Sequence, residues 1–459
     1  MFIYRLIKKV NSFPLLILLS VVLCVHLAWI ALVPFAGFPY GAPDEIHHFE
    51  VTRFVAETGR MPVFGPDKDL YIRVPPGFEE SVDTRIYGWH ALFPSGAYIL
   101  PGLFMHLLPP LTFQQQVFVA RLFSAFWNLC LVYFTYKITI YLFPGDRLFA
   151  FGVSVFVSMI PQVVFVGSYH NSDALTLAAT AASMFFGLKF LDGGYAKWVT
   201  NLELGLALGF VAMAKQHGWL VNFLFVSSIL LLAGRKIIAS RKLLPLFGFV
   251  IPPMLVFGSW FLSQQLNYGD ILARDVFGSA WTNDRPYLVS FVEQGYSVLD
   301  FFLKTNWLPM TFKSFWGVFG YMSVRMSLAI YWVLFSWCLL SSIGLSKGIF
   351  SRFRDGNIDF KSWRNWVLCV FGGIIVALVA AAVYTSYYND YQPQGRYLFP
   401  ALVPIAIFLL WGWRELLSPK WRSLGFKLLC VGMLFFNLFS LIVYVIPGMT
   451  MPVDVQWFF

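Results

Sequence analysis

The sequence predicts an all-α protein that crosses a membrane about eleven times. Of its 459 residues, 58% are hydrophobic and only 12% are charged, which excludes a soluble globular protein. Apolar runs also recur along the whole chain, and a helix that crosses a hydrocarbon core of roughly 30 Å needs about 20 such residues. We therefore expect one transmembrane domain over residues 1–459.

The apolar runs predict the individual spans. In chain order they cover residues 13–35, 117–142, 148–167, 174–191, 202–214, 218–233, 243–266, 328–345, 367–384, 398–413 and 424–446. The run 202–214 is short for a span. A further run, 90–108, is interrupted by Pro94 and Pro101, and counting it as a span would invert every later loop.

Lys and Arg decide the position of the run 90–108. The formal net charge of +10 matters less than its placement, because short cytoplasmic loops are enriched in these residues. The basic segments 234–242, 346–365 and 413–423 share a side with the basic N-terminus only if 90–108 does not span. We therefore expect surface-lying helices in a first extracytoplasmic loop, 36–116, and a second such loop at 267–326.

Ionisable residues collect at the predicted outer ends of different spans. Such residues are costly near the membrane and by default indicate function. Each one alone could simply mark where a helix leaves the lipid. The set is Asp44, Glu45, His47, His48, His170, Asp173, Lys215, His217 and Arg396.

The densest cluster is "PDEIHH", residues 43–48, directly after the first span. Pro43 can open a short helix, with Asp44, Glu45 and His48 in its first turn. An aspartate near a helix N-terminus and a basic neighbour stays ionised, which suits a general base. The same spacing could ligate a divalent cation, or it could only cap the helix.

Two cations stand out because they oppose the charge bias. Arg396, in "QPQGRYLFP", offers a fork of donors matched to phosphate oxygens, and Gly395 would let the backbone approach a ligand. Lys215, in "MAKQHGW", lies where two short spans meet, and broken helices at membrane depth usually line a cavity. Snorkelling from a helix end is the alternative for Arg396.

Three tryptophans mark the second large loop. Trp281, Trp307 and Trp316 could stack on a sugar ring or form an interfacial belt, and for each of them singly we favour the belt.

These motifs together resemble a known family. In their order, "PDEIHHFE", "HNSDAL", "AKQHGW", "SFWGVFG" and "QGRYLFP" resemble the bacterial membrane-protein family called domain of unknown function 2142 (DUF2142). The first span that exits into an acidic motif, the long first outer loop, a second outer acid (Asp173) and "VARLFSA" at the second span look like the GT-C superfamily of membrane glycosyltransferases.

The resemblance implies transfer of a sugar from a polyprenyl-phosphate carrier at the outer face of a bacterial inner membrane. The acceptor would be a glycan, lipid or protein of the cell envelope, and no nucleic acid is implied. Asp44, with Glu45 and His48 beside it, would supply the catalytic base, and Asp173 would be the second outer acid. Arg396, Lys215 and Gln394 would hold the donor phosphate. The adjacent acids and the histidines depart from the GT-C pattern, so metal dependence stays open.

Two other classes of protein fit parts of the pattern. A transporter or flippase would also need short broken helices, but it would favour charges midway through its spans. A non-catalytic protein of envelope-polysaccharide assembly would tolerate the loss of Asp44.

Overall fold

Helices build almost all of the described chain. The computed structural model describes residues 13–35, 41–67, 88–93, 96–240, 244–284, 289–356 and 362–450. The helices are α1 (Phe13–Leu32), α2 (Glu45–Thr58), α3 (Gly96–His106), α4 (Phe113–Leu142), α5 (Arg147–Met159), α6 (Pro161–Val166), α7 (Asp173–Leu191), α8 (Trp198–Ala212), α9 (Gln216–Ser240), α10 (Leu246–Tyr268), α11 (Arg274–Asp284), α12 (Val298–Lys304), α13 (Trp307–Trp316), α14 (Leu328–Arg354), α15 (Trp363–Tyr388), α16 (Leu402–Leu416), α17 (Pro419–Ser440) and α18 (Ile446–Thr450).

Shorter elements complete the fold. Strands β1 (Val318–Phe319) and β2 (Val324–Arg325) form an antiparallel hairpin in which Val318 pairs with Arg325. Short 3-10 helices occupy Gly88–Leu92, Gly194–Ala196 and Gly395–Ala401, and one π-helical turn occupies Leu441–Val445.

Nine helical segments of the described chain are long and apolar enough to cross a membrane. They are Pro14–Leu32, Phe113–Leu142, Asp173–Leu191, Gln216–Ala239, Leu246–Tyr268, Leu328–Arg354, Trp363–Tyr388, Gly395–Leu416 and Pro419–Met449. Each overlaps a predicted span. The two remaining predicted spans, 148–167 and 202–214, correspond to shorter apolar helices, Arg147–Met159 and Trp198–Ala212.

Pro161 breaks the predicted span 148–167 into α5 and α6. Ile160 takes an extended conformation (φ −61°, ψ 120°), because a proline has no N–H to donate and disfavours helix in the residue before it. All six residues of α6 are buried. The break therefore places a short helix inside the bundle, where it leads into the polar turn before α7.

The described residues of the run 90–108 form no helix long enough to span, in agreement with the prediction. Its helix α3 has only 11 residues and packs on α2. Gly102 permits this contact, because a Cβ there would lie 2.6 Å from Val55 Cβ and 2.9 Å from the Thr52 carbonyl oxygen. The two short helices thus form one layer across the end of the bundle where α1 finishes.

The interpretation of two tryptophans as an interfacial belt is wrong. Trp307 is 2% exposed and Trp316 is 1% exposed. Trp307 Nε1 donates to Ser386 Oγ at 2.9 Å, and the Trp316 ring packs against Phe156. Both indoles belong to the core, so they are not platforms for a sugar either. The side chain of Trp281 lies outside the described part of the chain.

A buried ion pair ties four segments together. Arg121 of α4 donates from Nε and Nη2 to the two carboxylate oxygens of Glu45, at 2.8 and 2.6 Å. Its Nη1 donates to the carbonyls of Ile30 and Val33 at the end of α1. Glu45 Oε1 also accepts the backbone N–H of His170 at 2.8 Å. We call this arrangement the Arg121 clamp.

We expect the loop 267–326 to lie outside the cell and the segment 346–365 to lie inside, as the placement of basic residues predicts. In a cysteine-free background, a membrane-impermeant maleimide should label Ser297→Cys on whole cells and leave Ser346→Cys unlabelled until the cells are lysed. Both positions are exposed, so accessibility is matched. If whole cells are labelled at Ser346→Cys and not at Ser297→Cys, the topology is the reverse of the predicted one.

We expect Glu45→Gln to destabilise the protein strongly. Glu45 is 0% exposed and Arg121 is 4% exposed, so the change leaves a buried guanidinium without its counter-charge. Loss of one partner of a buried pair costs about 3–5 kcal/mol. The midpoint of thermal unfolding in detergent should fall well below that of the wild type.

Asp355→Asn is the matched control. It breaks the exposed pair between Arg354 and Asp355, and such surface pairs contribute only about 0–1 kcal/mol. Equal midpoints for the two variants would show that the Arg121 clamp is not structural.

Candidate functional site

A cavity of about 120 Å³ lies between the start of α2, helix α6, the β-hairpin and the 3-10 turn before α16. We call it the polar cavity. Its polar lining includes Asp44, Gln162, Tyr169, Tyr321, Gln394 and Arg396. Segments from both ends of the chain therefore meet at one place.

Asp44 reaches this cavity because it does not cap its helix. It precedes α2 with a left-handed backbone (φ 57°), and its side chain makes no capping hydrogen bond. Its backbone N–H donates to the Tyr321 hydroxyl at 3.0 Å, and its carbonyl accepts the N–H groups of His47 and His48. The capping interpretation of "PDEIHH" is therefore wrong for this carboxylate.

Backbone strain is concentrated around the polar cavity. Within the described ranges, only three residues other than glycine have a positive φ: Asp44, Ala273 and Met322. Two of them, Asp44 and Met322, line the cavity. Strained backbone persists where the surrounding structure imposes it, and it is typical of functional sites. Gly320 and Met322 flank Tyr321 and turn the hairpin so that the phenol reaches Asp44.

Arg396 belongs to a cluster of three charges. Its Nη1 lies 3.8 Å from Asp173 Oδ2, and Lys215 Nζ lies 2.7 Å from Asp173 Oδ1. Asp173 opens α7, Lys215 lies in the turn between α8 and α9, and Arg396 lies in the 3-10 turn before α16. Two cations share one carboxylate, so one positive charge is left without a counter-charge inside the cluster.

The predicted phosphate ligands are not equivalent in the structure. Arg396 and Gln394 line the polar cavity, whereas Lys215 and Asp173 lie behind Arg396, outside the lining. The structure thus brings Asp44, Gln394 and Arg396 to one cavity. Lys215 is linked to Arg396 only through the carboxylate of Asp173.

Two phenols, the buried Tyr169 and the half-buried Tyr321, border the charged groups. Arg396 Nη1 donates to the Tyr169 hydroxyl at 3.3 Å. Burial raises the pKa of Tyr169 although Arg396 acts in the opposite sense, and burial together with the negative charge of Asp44 raises the pKa of Tyr321. Both hydroxyls therefore stay protonated at neutral pH.

Gly395 has a packing role that differs from the expected ligand contact. A Cβ at this position would lie 2.3 Å from the backbone nitrogen of Phe315, so only glycine fits against α13. The Gly395 N–H donates to Ser314 Oγ at 2.7 Å. This close contact sets the position of the neighbouring Arg396 and Gln394.

Glu45 and His48 do not line the polar cavity. Both oxygens of Glu45 are engaged in the Arg121 clamp. His48 is 6% exposed; its ring lies 4.5 Å from that of His90, and its Nδ1 is hydrogen-bonded to the Tyr98 hydroxyl. Burial lowers the pKa of His48 well below its usual value, with His90 adding to the effect, so the imidazole is neutral.

The described ranges contain no group of three or more His, Cys, Asp or Glu side chains that could hold a metal ion.

Sequence reasoning missed Gln162, Tyr169 and Tyr321 as lining residues. Tyr169 lies inside the motif "GSYHNSD", and Tyr321 directly follows the motif "SFWGVFG". Their positions in or next to these motifs were the signal that could have identified both tyrosines.

Comparison with solved structures finds the same fold in two membrane enzymes. ArnT from Cupriavidus metallidurans, solved with undecaprenyl phosphate bound, matches with a TM-score of 0.52 and 13% identity over 98% of this chain and 76% of that one. The Archaeoglobus fulgidus oligosaccharyltransferase, solved with a tethered acceptor peptide, matches with a TM-score of 0.50 and 10% identity over 97% of this chain. The match covers 55% of the oligosaccharyltransferase chain. The fold is therefore similar to that of the GT-C membrane glycosyltransferases.

A comparison of the sequence with curated proteins finds none that matches. The family model described as "Predicted membrane protein (DUF2142)" matches residues 97–405, which is more than half of the chain. The motif order and the helical fold agree with this match, and the chain belongs to the DUF2142 family of membrane proteins.

Proposed function

We propose that the protein is an integral-membrane glycosyltransferase. It moves a sugar from a polyprenyl-phosphate donor to a cell-envelope acceptor at the extracytoplasmic face. The observation that carries the proposal is the meeting of a carboxylate, Asp44, with a guanidinium, Arg396, in one cavity at the end of the bundle. Sugar transfer from a lipid phosphate needs both groups, a base for the acceptor and a cation for the leaving phosphate.

Asp44 is the base in this mechanism. It is the one acid of "PDEIHH" that lines the polar cavity, whereas Glu45 serves the Arg121 clamp. The Tyr321 hydroxyl holds the backbone of Asp44 and leaves the carboxylate available to an acceptor hydroxyl. His48 is neutral and buried next to His90, away from the cavity lining.

Arg396 holds the donor phosphate. The charge cluster has one positive charge in excess, which a phosphate would balance, and a guanidinium can donate two parallel hydrogen bonds to phosphate oxygens. Gln394 offers an amide on the same side of the cavity. Lys215 acts through Asp173: it takes one carboxylate oxygen and so weakens the hold of Asp173 on Arg396.

Asp44 accepts the proton of the acceptor hydroxyl as that oxygen bonds to the anomeric carbon of the sugar. The bond between this carbon and the phosphate oxygen breaks, and its electrons leave with the polyprenyl phosphate. Arg396 stabilises the negative charge that develops there.

The solved relatives support the choice of donor. The ArnT structure holds undecaprenyl phosphate, and its chain has the same fold. A lipid phosphate presents its head group at the membrane surface. Arg396 lies in the first turn of the apolar segment Gly395–Leu416, and Tyr169 lies just before Asp173–Leu191, so the cavity they line adjoins the ends of apolar helices.

We expect Asp44→Asn to reduce sugar transfer by roughly 10²–10⁴-fold, because it keeps the size of the side chain and removes the proton acceptor. Release of polyprenyl phosphate from a lipid-linked sugar, measured in proteoliposomes, gives the rate. Asp355→Asn, at an exposed aspartate directly after α14, is the matched control and should be fully active. Full activity of Asp44→Asn would rule out Asp44 as the base, and the absence of any transfer by the wild type would favour a non-catalytic assembly role.

We expect Arg396→Lys to weaken donor binding more than turnover at saturation, because lysine keeps the charge and loses the fork. Titration of the purified protein with undecaprenyl phosphate should give a clearly higher Kd than the wild type. Arg354→Lys, an exposed arginine at the end of α14, should leave the Kd unchanged. An unchanged Kd in Arg396→Lys would place the phosphate elsewhere.

A further inference from the structure

Three arginines meet at the end of the bundle opposite to the polar cavity. Helix α14 begins shortly after the β-hairpin that lines that cavity, and its 27 residues extend for about 40 Å. Arg352 lies in its last turn, whereas Arg414 and Arg422 lie near the end of α16 and the start of α17. Their guanidinium groups lie 3.8, 3.4 and 3.9 Å, respectively, from the carboxylate of Glu415. We call these four residues the Glu415 cluster.

Two members of the cluster are held in place by core contacts. The Arg414 side chain is only 12% exposed, and its Nη1 donates to Asp146 Oδ2 at 2.8 Å. Glu415 Oε1 accepts the Trp411 Nε1–H at 3.0 Å. The Glu415 side chain also packs on Gly348 of α14, where a Cβ would lie 2.7 Å from Glu415 Cγ. The position of the shared carboxylate is therefore fixed by its neighbours in the bundle.

Arg352 and Arg422 keep donors that the described chain does not use. Their Nη2 atoms are too far from the Glu415 oxygens for a hydrogen bond. Arg352 makes no hydrogen bond within the described residues, and its guanidinium is stacked 4.7 Å from the centre of the Trp411 ring. Arg422 donates only from Nε, to the Leu417 carbonyl at 3.3 Å. The two side chains are 41% and 39% exposed, so a ligand can reach their free nitrogens.

The Glu415 cluster and its partner Asp146 have an excess of one positive charge. The three arginines contribute three positive charges, and Glu415 and Asp146 contribute two negative charges. A ligand with one negative charge would balance the excess. A phosphodiester has that charge, and its oxygens match the forked donors of a guanidinium.

Exposed apolar side chains adjoin the two accessible arginines. Ile349, one turn before Arg352, is 43% exposed. Trp421, next to Arg422, is 53% exposed, and Leu424 is 44% exposed. These residues belong to Leu328–Arg354 and Pro419–Met449, which are apolar enough to cross a membrane. A ligand that joins a phosphate to hydrocarbon chains therefore fits both the charges and the apolar surface beside them.

We propose that Arg352 and Arg422 bind the phosphate of a phospholipid with one negative charge, in the leaflet opposite to the polar cavity. A zwitterionic phospholipid would add the positive charge of its amine to a cluster that is already positive. Free phosphate would leave the apolar surface uncovered. Arginines that only extend from a span end into water would select no lipid. The site lies at the other end of the bundle, so it does not depend on the proposed glycosyltransferase activity.

Native mass spectrometry of the full-length protein in detergent measures this binding. The probes are phosphatidylglycerol, which carries one negative charge, and phosphatidylcholine, which is zwitterionic, with identical acyl chains and at equal concentrations. The wild type should retain phosphatidylglycerol in preference to phosphatidylcholine. Arg352→Gln and Arg422→Gln should each lower the affinity for phosphatidylglycerol about five-fold, the usual effect of one basic residue at an anionic lipid. The variant with both changes should lose the preference.

Arg354→Gln is the matched control. It removes the same charge from the same end of α14, at a side chain that is 69% exposed and paired with Asp355, and it should bind as the wild type does. Equal affinities of Arg352→Gln and Arg354→Gln would overturn the site, because the attraction would then be a general effect of charge.

Two results on the wild type would also overturn it, and they need no variant that folds. One is equal retention of the two lipids. The other is displacement of phosphatidylglycerol by inorganic phosphate at equal concentration, which would make the Glu415 cluster a site for a free anion.

Discussion

The Arg121 clamp is the interaction on which the site depends. Arg121 is buried in the bundle, and the carboxylate of Glu45 and two carbonyls at the end of α1 compensate its charge. This arrangement fixes where α2 begins, and Asp44 is the residue immediately before that point. Because Glu45 also accepts the N–H of His170, the turn that leads to Asp173 is held by the same pair. A buried charge pair of this kind is sensitive to the loss of either partner, so it acts as a geometric constraint.

Charge is distributed unequally across the two sides of the polar cavity. On one side Asp44 is the only acidic residue in the described lining, and its backbone N–H donates to the Tyr321 hydroxyl. On the other side Arg396 shares Asp173 with Lys215, which leaves a positive excess. An acid and a cation thus face one small space, which is the arrangement that the proposed roles of base and phosphate holder require. The phenols of Tyr169 and Tyr321 add neutral donors between them.

Sequence reasoning succeeded where the signal is local. Span positions follow from runs of apolar residues, and each predicted run overlaps an apolar helix. It was less successful where partners are distant. Trp307 and Trp316 lie in a loop rich in aromatics, which is typical of an interface, yet both are core residues because α13 folds back into the bundle. The break at Pro161 could have been read from the chain, since proline before an apolar run interrupts a helix.

From the sequence by itself, the lengths of the apolar runs predict a protein with several membrane spans. The placement of Lys and Arg predicts that its unusual ionisable residues lie at one end of those spans. These are properties of single segments in a membrane, and they need no knowledge of the neighbours. Only the tertiary structure showed that Asp44 lines the polar cavity and that Glu45 does not. Adjacent residues at a helix start point in different directions. Which of them meets Arg121 and which meets the polar cavity depends on helices far away in the chain.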